Sequence, residues 1–193
     1  LKLFGYNNYF NNFISIYKKN KLPNVMLLSG PKGAGKSTFA YHFTNFLLSE
    51  NEKDSYSIER FEINSNNLTF KLIQNHTHPN FFLLENYPFD ENIKIDKIRN
   101  LLKFLNKSNY SKNLKIIFLD NAEYLNLNSS NALLKALEQP SKNTYFFIIH
   151  NESSLIIETI KSRCIKFKFH FNIEEKKNIF KQITENLQLS FNE

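Results

Sequence analysis

Cysteine is nearly absent: Cys164 is the only one among 193 residues. A lone thiol excludes an internal disulfide framework and a thiolate zinc cluster within the chain, and it fits a reducing compartment. Tryptophan is missing, so a core must draw its aromatic content from 20 Phe and 9 Tyr. Arginine is scarce, limited to Arg60, Arg99 and Arg163. No apolar run approaches the roughly 20 residues needed to span a bilayer. The opening LKLFGYNNYF lacks the pattern of a secretory signal, and we expect a cytoplasmic protein without a membrane anchor. The first residue is Leu1 rather than Met, which leaves room for a start further upstream.

What is present supports a folded domain. Apolar residues make up 41% of the chain, enough for one large domain or for one domain and a fragment of a second. The formal net charge is +7. That balance permits a nucleic-acid partner without indicating one, because no Arg/Lys-rich arm stands out. Asn and Lys recur between the apolar runs as a bias of the whole chain rather than as a set of sites.

Periodicity orders the chain into alternating elements. Residues 7–19 place Phe10, Phe13, Ile14 and Tyr17 at helical spacing. The fully apolar VMLLS (25–29) predicts a central strand, and 36–49 a helix with Phe39, Phe43, Phe46 and Leu47 inward. Residues 50–80 are weakly patterned. Phe81–Leu84 then reads as a strand, NYPFDENI as a polar connection, and 97–107 as a helix capped by Asp96. KIIFLD (115–120) is a third strand, and a helix from about Ser130 to Gln139 stops at Pro140. TYFFIIH (144–150) is a fourth strand and 155–161 a short helix. The alternating CIKFKF (164–169) reads as an edge strand, and a last amphipathic helix begins at Ile173. The alternation predicts a three-layer α/β fold on a central five-stranded, mostly parallel sheet.

The chemistry concentrates in GPKGAGKST, residues 30–38. Gly30, Gly35, Lys36 and Ser37 match G-x-x-x-x-G-K-[ST] without a gap, between a predicted strand and a predicted helix. Backbone N–H groups of Gly30, Pro31, Lys32, Gly33, Ala34, Gly35 and the helix start through Thr38 (the proline excepted) can face phosphate oxygens. Lys36 can reach the outer phosphates, and the Ser37 hydroxyl can ligate Mg2+. Asp120, closing a neighbouring strand, is the natural second residue of a magnesium site; its alternative is an ordinary strand-end aspartate. Hydrolysis also requires a group that orients water. The residue after Asp120 is Asn121, which cannot take a proton, and Glu123 is displaced so that a helix start should point it elsewhere. Asn151, and less so His150, could sense a terminal phosphate or simply end the strand. Arg163 lies in KSRC, far in sequence from the glycine loop. From the residues alone a surface or packing role for it outweighs a catalytic one. His76 and His78 have no third ligand nearby, and Cys164 reads as a small buried side chain.

LKIIFLDNAEYLNLNSSNALLKALEQPSKNTYFFIIHN and ETIKSRCIKF, supported by HPNFFLLE and IKIDKIRNLLKFL, make nearly the whole chain resemble the delta-prime family of bacterial DNA polymerase III clamp loaders, within the AAA+ proteins. The resemblance implies an AAA+ core over 1–170 and the beginning of a helical lid over 171–193, with a C-terminal collar domain absent. It implies a hetero-oligomer with gamma/tau and delta subunits that places a sliding clamp on primed DNA. It also implies that Arg163, in the family's Ser-Arg-Cys motif, acts in trans on ATP of an adjacent gamma/tau subunit. Many relatives carry a four-cysteine zinc module that falls on residues 50–80, where this chain has no cysteine, so no structural zinc is expected. Some family members have a degraded phosphate loop, whereas this chain retains its own.

The leading expectation is therefore a clamp-loader subunit that donates Arg163 and holds ATP or ADP with Mg2+ at little or no turnover. A catalytic gamma/tau-like subunit is disfavoured by Asn121 and by the missing cysteines. A small-substrate P-loop kinase is disfavoured by the scarcity of arginine. A scaffold that ignores nucleotide would show no saturable ATP binding.

Overall fold

The computed structural model describes residues 1–85, 92–107 and 114–187. Most of the connection expected between the second strand and the following helix lies outside the described residues. In chain order the elements are α1 (Asn7–Lys18), β1 (Val25–Gly30), α2 (Lys36–Leu48), α3 (Leu68–Gln74), β2 (Phe81–Leu84), α4 (Ile95–Asn106) and β3 (Lys115–Leu119). After a 3-10 turn at Ala122–Tyr124 come α5 (Leu127–Glu138), β4 (Thr144–Asn151), α6 (Glu158–Lys161), β5 (Ile165–Lys168) and α7 (Ile173–Asn186).

The five strands form one sheet in the order β2-β3-β4-β1-β5, and every pairing between them is parallel. β1 is buried at all positions because it has a neighbour on each side and helices on both faces. Alternate residues of β1 feed two separate cores. Met26 and Leu28 join Phe10, Phe13, Phe39 and Phe43 on the face covered by α1 and α2. Val25 and Leu27 join Ile98, Leu101, Leu133 and Leu137 on the face covered by α4 and α5. Phenylalanine takes the place of the missing tryptophan: Phe13 meets Phe39 edge-on at 5.0 Å, and Phe10 meets Phe43 at 5.5 Å, geometries that add to simple burial. β5 is the edge strand that its alternation suggested, with Ile165 exposed. No described helix is long and apolar enough to cross a membrane.

Local chemistry shifted several boundaries. Asp96 does not cap α4: the helix begins one residue before it, Lys94 is the N-cap, and Asp96 in the first turn pairs with Arg99 at 2.9 Å. α5 starts three residues earlier than Ser130, because the Asn126 side chain accepts from the Ser129 N–H at 2.8 Å. The helix expected over 155–161 shortens to its last turn, Glu158–Lys161.

The weakly patterned 50–80 segment is ordered by polar side chains. Asn67, fully buried, accepts from the Phe70 N–H at 2.7 Å and from the Asn45 amide at 2.9 Å, and donates to the Asp54 carbonyl at 2.8 Å. The Glu52 carboxylate accepts from the N–H groups of Leu68 (3.0 Å) and Thr69 (3.1 Å) and from the Thr69 hydroxyl (2.5 Å). Together these groups satisfy the N-terminal donors of α3. Tyr56 stacks on Phe10 at 5.1 Å and bonds His42 at 3.1 Å, tying the segment to α1 and α2. Burial lowers the His42 pKa to about 4, so the ring is neutral there.

Candidate nucleotide site

The glycine loop leaves the C-terminal end of β1 and feeds α2, at the sheet end where ligands of open α/β folds collect. Three of the chain's four glycines lie in this loop. Gly33 and Gly35 have φ of +77° and +82°, left-handed values that glycine adopts without steric cost. Gly30 is needed for another reason. A Cβ there would stand 2.4 Å from the Phe169 carbonyl oxygen, just past β5, so the close approach of the two backbones leaves no room for a side chain.

Lys36, Ser37 and Asp120 converge at the loop. The Lys36 ammonium donates to the carbonyls of Gly30 (2.9 Å) and Pro31 (2.6 Å). Burial lowers its pKa, while the charges of Glu123, Asp120 and Glu152 act in the opposite direction. The Ser37 hydroxyl donates to Asp120 Oδ1 at 3.1 Å. Burial raises the Asp120 pKa, countered by hydrogen bonds from Ser37 and from the Asn121 backbone. α2 has neither a side-chain cap nor an acidic residue in its first turn. Its N-terminal donors therefore face the loop without a capping side chain of their own helix.

These groups line a cleft of about 680 Å³ with Lys32, Gly33, Gly35, Thr38, Asn121, Glu123, Tyr124 and Asn151. Glu123 corrects the sequence expectation. Asn121 takes a left-handed conformation, φ 58° and ψ 65°, and the tight turn behind it returns the Glu123 carboxylate to the cleft, where it accepts from the Asn151 N–H at 3.5 Å. The motif spacing concealed this, although an Asn directly after a strand-end Asp is the residue type that tolerates such a turn. Asn151 lines the cleft, but its side chain is engaged locally: Oδ1 accepts from the Ser153 hydroxyl at 3.0 Å. His150 is buried and structural. Its Nε2 meets the Ser154 carbonyl at 3.0 Å and its Nδ1 meets the Ser29 hydroxyl at 3.3 Å. Because a carbonyl only accepts, the proton sits on Nε2.

Against the other side of the loop lies an apolar pocket of about 410 Å³, lined by Pro31 and Ala34 of the loop and by Tyr6, Phe171, Ile179 and Phe180, among others. Tyr6 donates to the Ala34 carbonyl at 2.5 Å and is packed edge-on against Phe171 at 5.0 Å. Burial raises its pKa, so it remains a donor. Sequence reasoning missed this pocket because its walls come from opposite ends of the chain and carry no local motif.

The residues fit a magnesium nucleotide. A polar cleft with a lysine, a hydroxyl–carboxylate pair and an uncapped helix start suits the phosphates and a hard cation. An adjoining aromatic-walled pocket suits a base. Lys36, Ser37 and Asp120 would hold the phosphate and metal end, and Tyr6, Phe171 and Ile179 the base.

Arg163 joins neither cavity. It follows α6, where it is paired with Glu138 at the end of α5. Cys164 is partly buried beside it. Its thiol donates to the Ile160 carbonyl, and burial pushes its pKa up to about 12, which makes it unreactive. His78 Nδ1 accepts from the Asn80 N–H at 3.2 Å. Among the described residues no group of three or more His, Cys, Asp or Glu is arranged to hold a metal ion.

Comparison with known proteins gives the family and the fold. A family model described as DNA polymerase III, delta subunit, matches residues 5–172. The chain is 34% identical over 143 residues to the DNA polymerase III subunit delta' of Pseudomonas aeruginosa, covering 74% of this chain and 42% of that one. It is 30% identical over 156 residues to the replication factor C small subunit of Halobacterium salinarum, covering 80% and 39%. The fold is similar to that of a DNA polymerase III gamma subunit-related protein of Thermotoga maritima, with a TM-score of 0.58, 21% identity and coverage of 92% and 53%. It is also similar to the RuvB branch-migration motor of the same organism, with a TM-score of 0.53, 16% identity and coverage of 94% and 50%. The chain spans about half the length, or less, of the curated relatives it matches. The family match runs from the Tyr6 pocket wall through the glycine loop to Phe171, and on that extent and the 34% identity the chain belongs to the DNA polymerase III delta-prime family of AAA+ proteins.

Proposed function

We propose that this chain is the nucleotide-binding core of a clamp-loader subunit, working in a cytoplasmic hetero-oligomer with gamma/tau and delta subunits on a sliding clamp and primed DNA. Residues 1–170 form the AAA+ core, and α7 begins a helical lid. The cleft holds ATP or ADP with Mg2+, and the subunit supplies Arg163 to the nucleotide of a neighbour. The observation that carries this reading is the separation of two half-sites: a complete phosphate end around Lys36, Ser37 and Asp120, and an arginine outside both of its own cavities.

Bound Mg2+ would neutralise phosphate charge and bridge it to the protein. Lys36 would turn from the Gly30 and Pro31 carbonyls toward phosphate oxygens, and Ser37 would exchange its bond to Asp120 for the metal. Tyr6 keeps the loop in register through Ala34. Asn121 can orient water but cannot remove its proton, which argues for slow turnover. A second reading, a subunit that hydrolyses its own ATP, is favoured by one observation, the carboxylate of Glu123 in the cleft.

ATP binding and turnover by the full-length protein alone, and then in the complete assembly, test the proposal. Saturable binding with little turnover alone, and loss of about 10³-fold or more in the neighbour's turnover on Arg163→Ala with assembly intact, are expected. Appreciable turnover alone that Glu123→Gln abolishes would establish the second reading. Unchanged turnover in the assembled Arg163→Ala variant would remove the trans role.

A further inference from the structure

Arg163 is held on both edges of its guanidinium by its own subunit. Nε donates to Glu138 Oε1 at 2.9 Å, and Nη2 pairs with the same oxygen. On the opposite edge Nη1 donates to the Thr159 carbonyl at 2.8 Å and to the Ser162 hydroxyl at 3.4 Å. A guanidinium has five N–H donors, so these contacts commit most of them.

The backbone beneath is fixed separately. Ile160 is fully buried, Cys164 packs in the same core as Leu133 and Leu137 of α5, and the Arg163 N–H donates to the Ile160 carbonyl at 3.1 Å. Only the side chain has freedom, and Glu138 supplies the charged contact that holds its Nε and Nη2 edge. Glu138 is the last residue of α5, a helix whose Leu133 and Leu137 are buried against the sheet, so the carboxylate stands on a rigid support.

We propose that Glu138 is a positioning residue that keeps Arg163 folded against its own subunit until a polyphosphate on a neighbouring subunit competes for the guanidinium. This rests on the trans role proposed for Arg163. The pair is partly exposed, with 29% of the Arg163 side chain and 49% of the Glu138 side chain accessible. Partly exposed ion pairs are weak enough to exchange, whereas a phosphate offers more charge and can also accept two parallel hydrogen bonds. Glu138 therefore trades some affinity at the neighbour for an arginine that is pre-ordered and not left to wander.

Glu138→Gln keeps the shape and removes the charge. In the reconstituted assembly it should lower the KM for ATP by roughly two- to fivefold, the range of an exposed ion pair, with kcat little changed. Glu138→Asp, which keeps the charge, should restore most of the wild-type KM. In an Arg163→Ala background, Glu138→Gln should have no further effect. In the isolated protein, the Arg163 Hε resonance should lose its hydrogen-bonded shift and its protection from exchange in Glu138→Ala, which leaves no acceptor there, and keep part of both in Glu138→Gln, whose amide oxygen still accepts. An unchanged KM in Glu138→Gln, or the same change with and without Arg163, would overturn the proposal. An unchanged turnover in Arg163→Ala, with the Hε signature intact in wild type, would instead overturn the trans role on which it rests.

Discussion

Gly30→Ala tests why the glycine loop begins with glycine. The ordinary explanation, a left-handed backbone, applies to Gly33 and Gly35 but not to Gly30. At Gly30 the obstacle is the Phe169 carbonyl, 2.4 Å from where a Cβ would sit. An unstrained C···O contact needs roughly 3.3 Å, so the β1 and β5 ends must part by nearly an ångström. They are held there by the Phe169 N–H bonded to the Ser29 carbonyl at 2.8 Å. Overpacking of this kind costs about 1–3 kcal/mol, and the rigid backbone on both sides argues for the upper half of that range. At about 2–4 °C per kcal/mol for a chain of this size, the melting temperature should fall by about 4–12 °C. The Gly30 carbonyl also accepts from Lys36 Nζ and from the Glu152 N–H, so moving it should weaken nucleotide binding as well. Gly33→Ala is the control: its Cβ would meet nothing within 4 Å, leaving only the left-handed φ to resist, about 1–2 kcal/mol. Thermal melts with and without Mg-ATP, and a titration with labelled nucleotide, decide the matter. Equal losses in the two variants would refute the steric argument.

Lys36→Ala should raise the nucleotide Kd at least tenfold, read by titration, because it removes the one lysine anchored at the phosphate end. Because burial raises the Asp120 pKa, the folded protein binds more protons than the unfolded chain between the ordinary aspartate value and the raised one. Stability from this group is therefore lost, and Mg2+-dependent nucleotide affinity gained, as pH rises through that window. Asp120→Asn should flatten both profiles in the window above the ordinary aspartate value, as measured by melts and titrations at each pH. Glu52→Ala should cost about 1–2 kcal/mol by uncapping α3, while a chelator should leave the wild-type melting temperature unchanged; a large drop with chelator would reveal a metal in the 50–80 segment.

The parallel sheet was legible because its strands are short apolar runs separated by helical patterns, and the glycine loop between β1 and α2 because Gly30 to Ser37 form one contiguous motif. The 50–80 segment was opaque for a physical reason. Its order comes from Glu52, Asn67 and Asn45, residues 15 or more positions apart in part of the network, whose side chains replace periodic apolar contacts with hydrogen bonds. Polar residues at such spacing read as loop until their partners are known. Helix ends were misplaced for a related reason. Asp96 has the right chemistry for a cap, yet the chain enters α4 two residues too early for it to serve.

The base side of the site shows the same limit more sharply. Gly5 has φ +76°, and a Cβ on it would stand 2.2 Å from Ile179 Cδ1, so the N-terminal turn and α7 touch across most of the sequence. Tyr6 then bonds the loop through Ala34 and packs on Phe171. In this way three stretches with no shared pattern close one pocket. Of the apolar residues of α7, Ile179, Phe180 and Ile183 face this pocket, and no residue of the helix is fully buried. Its position therefore depends on few apolar contacts, which makes it the element most readily moved by what fills the pocket. Nucleotide should accordingly protect α7 amides from exchange more than those of α4 or α5. Equal protection across the three helices would mean that α7 is already as firmly seated as the core.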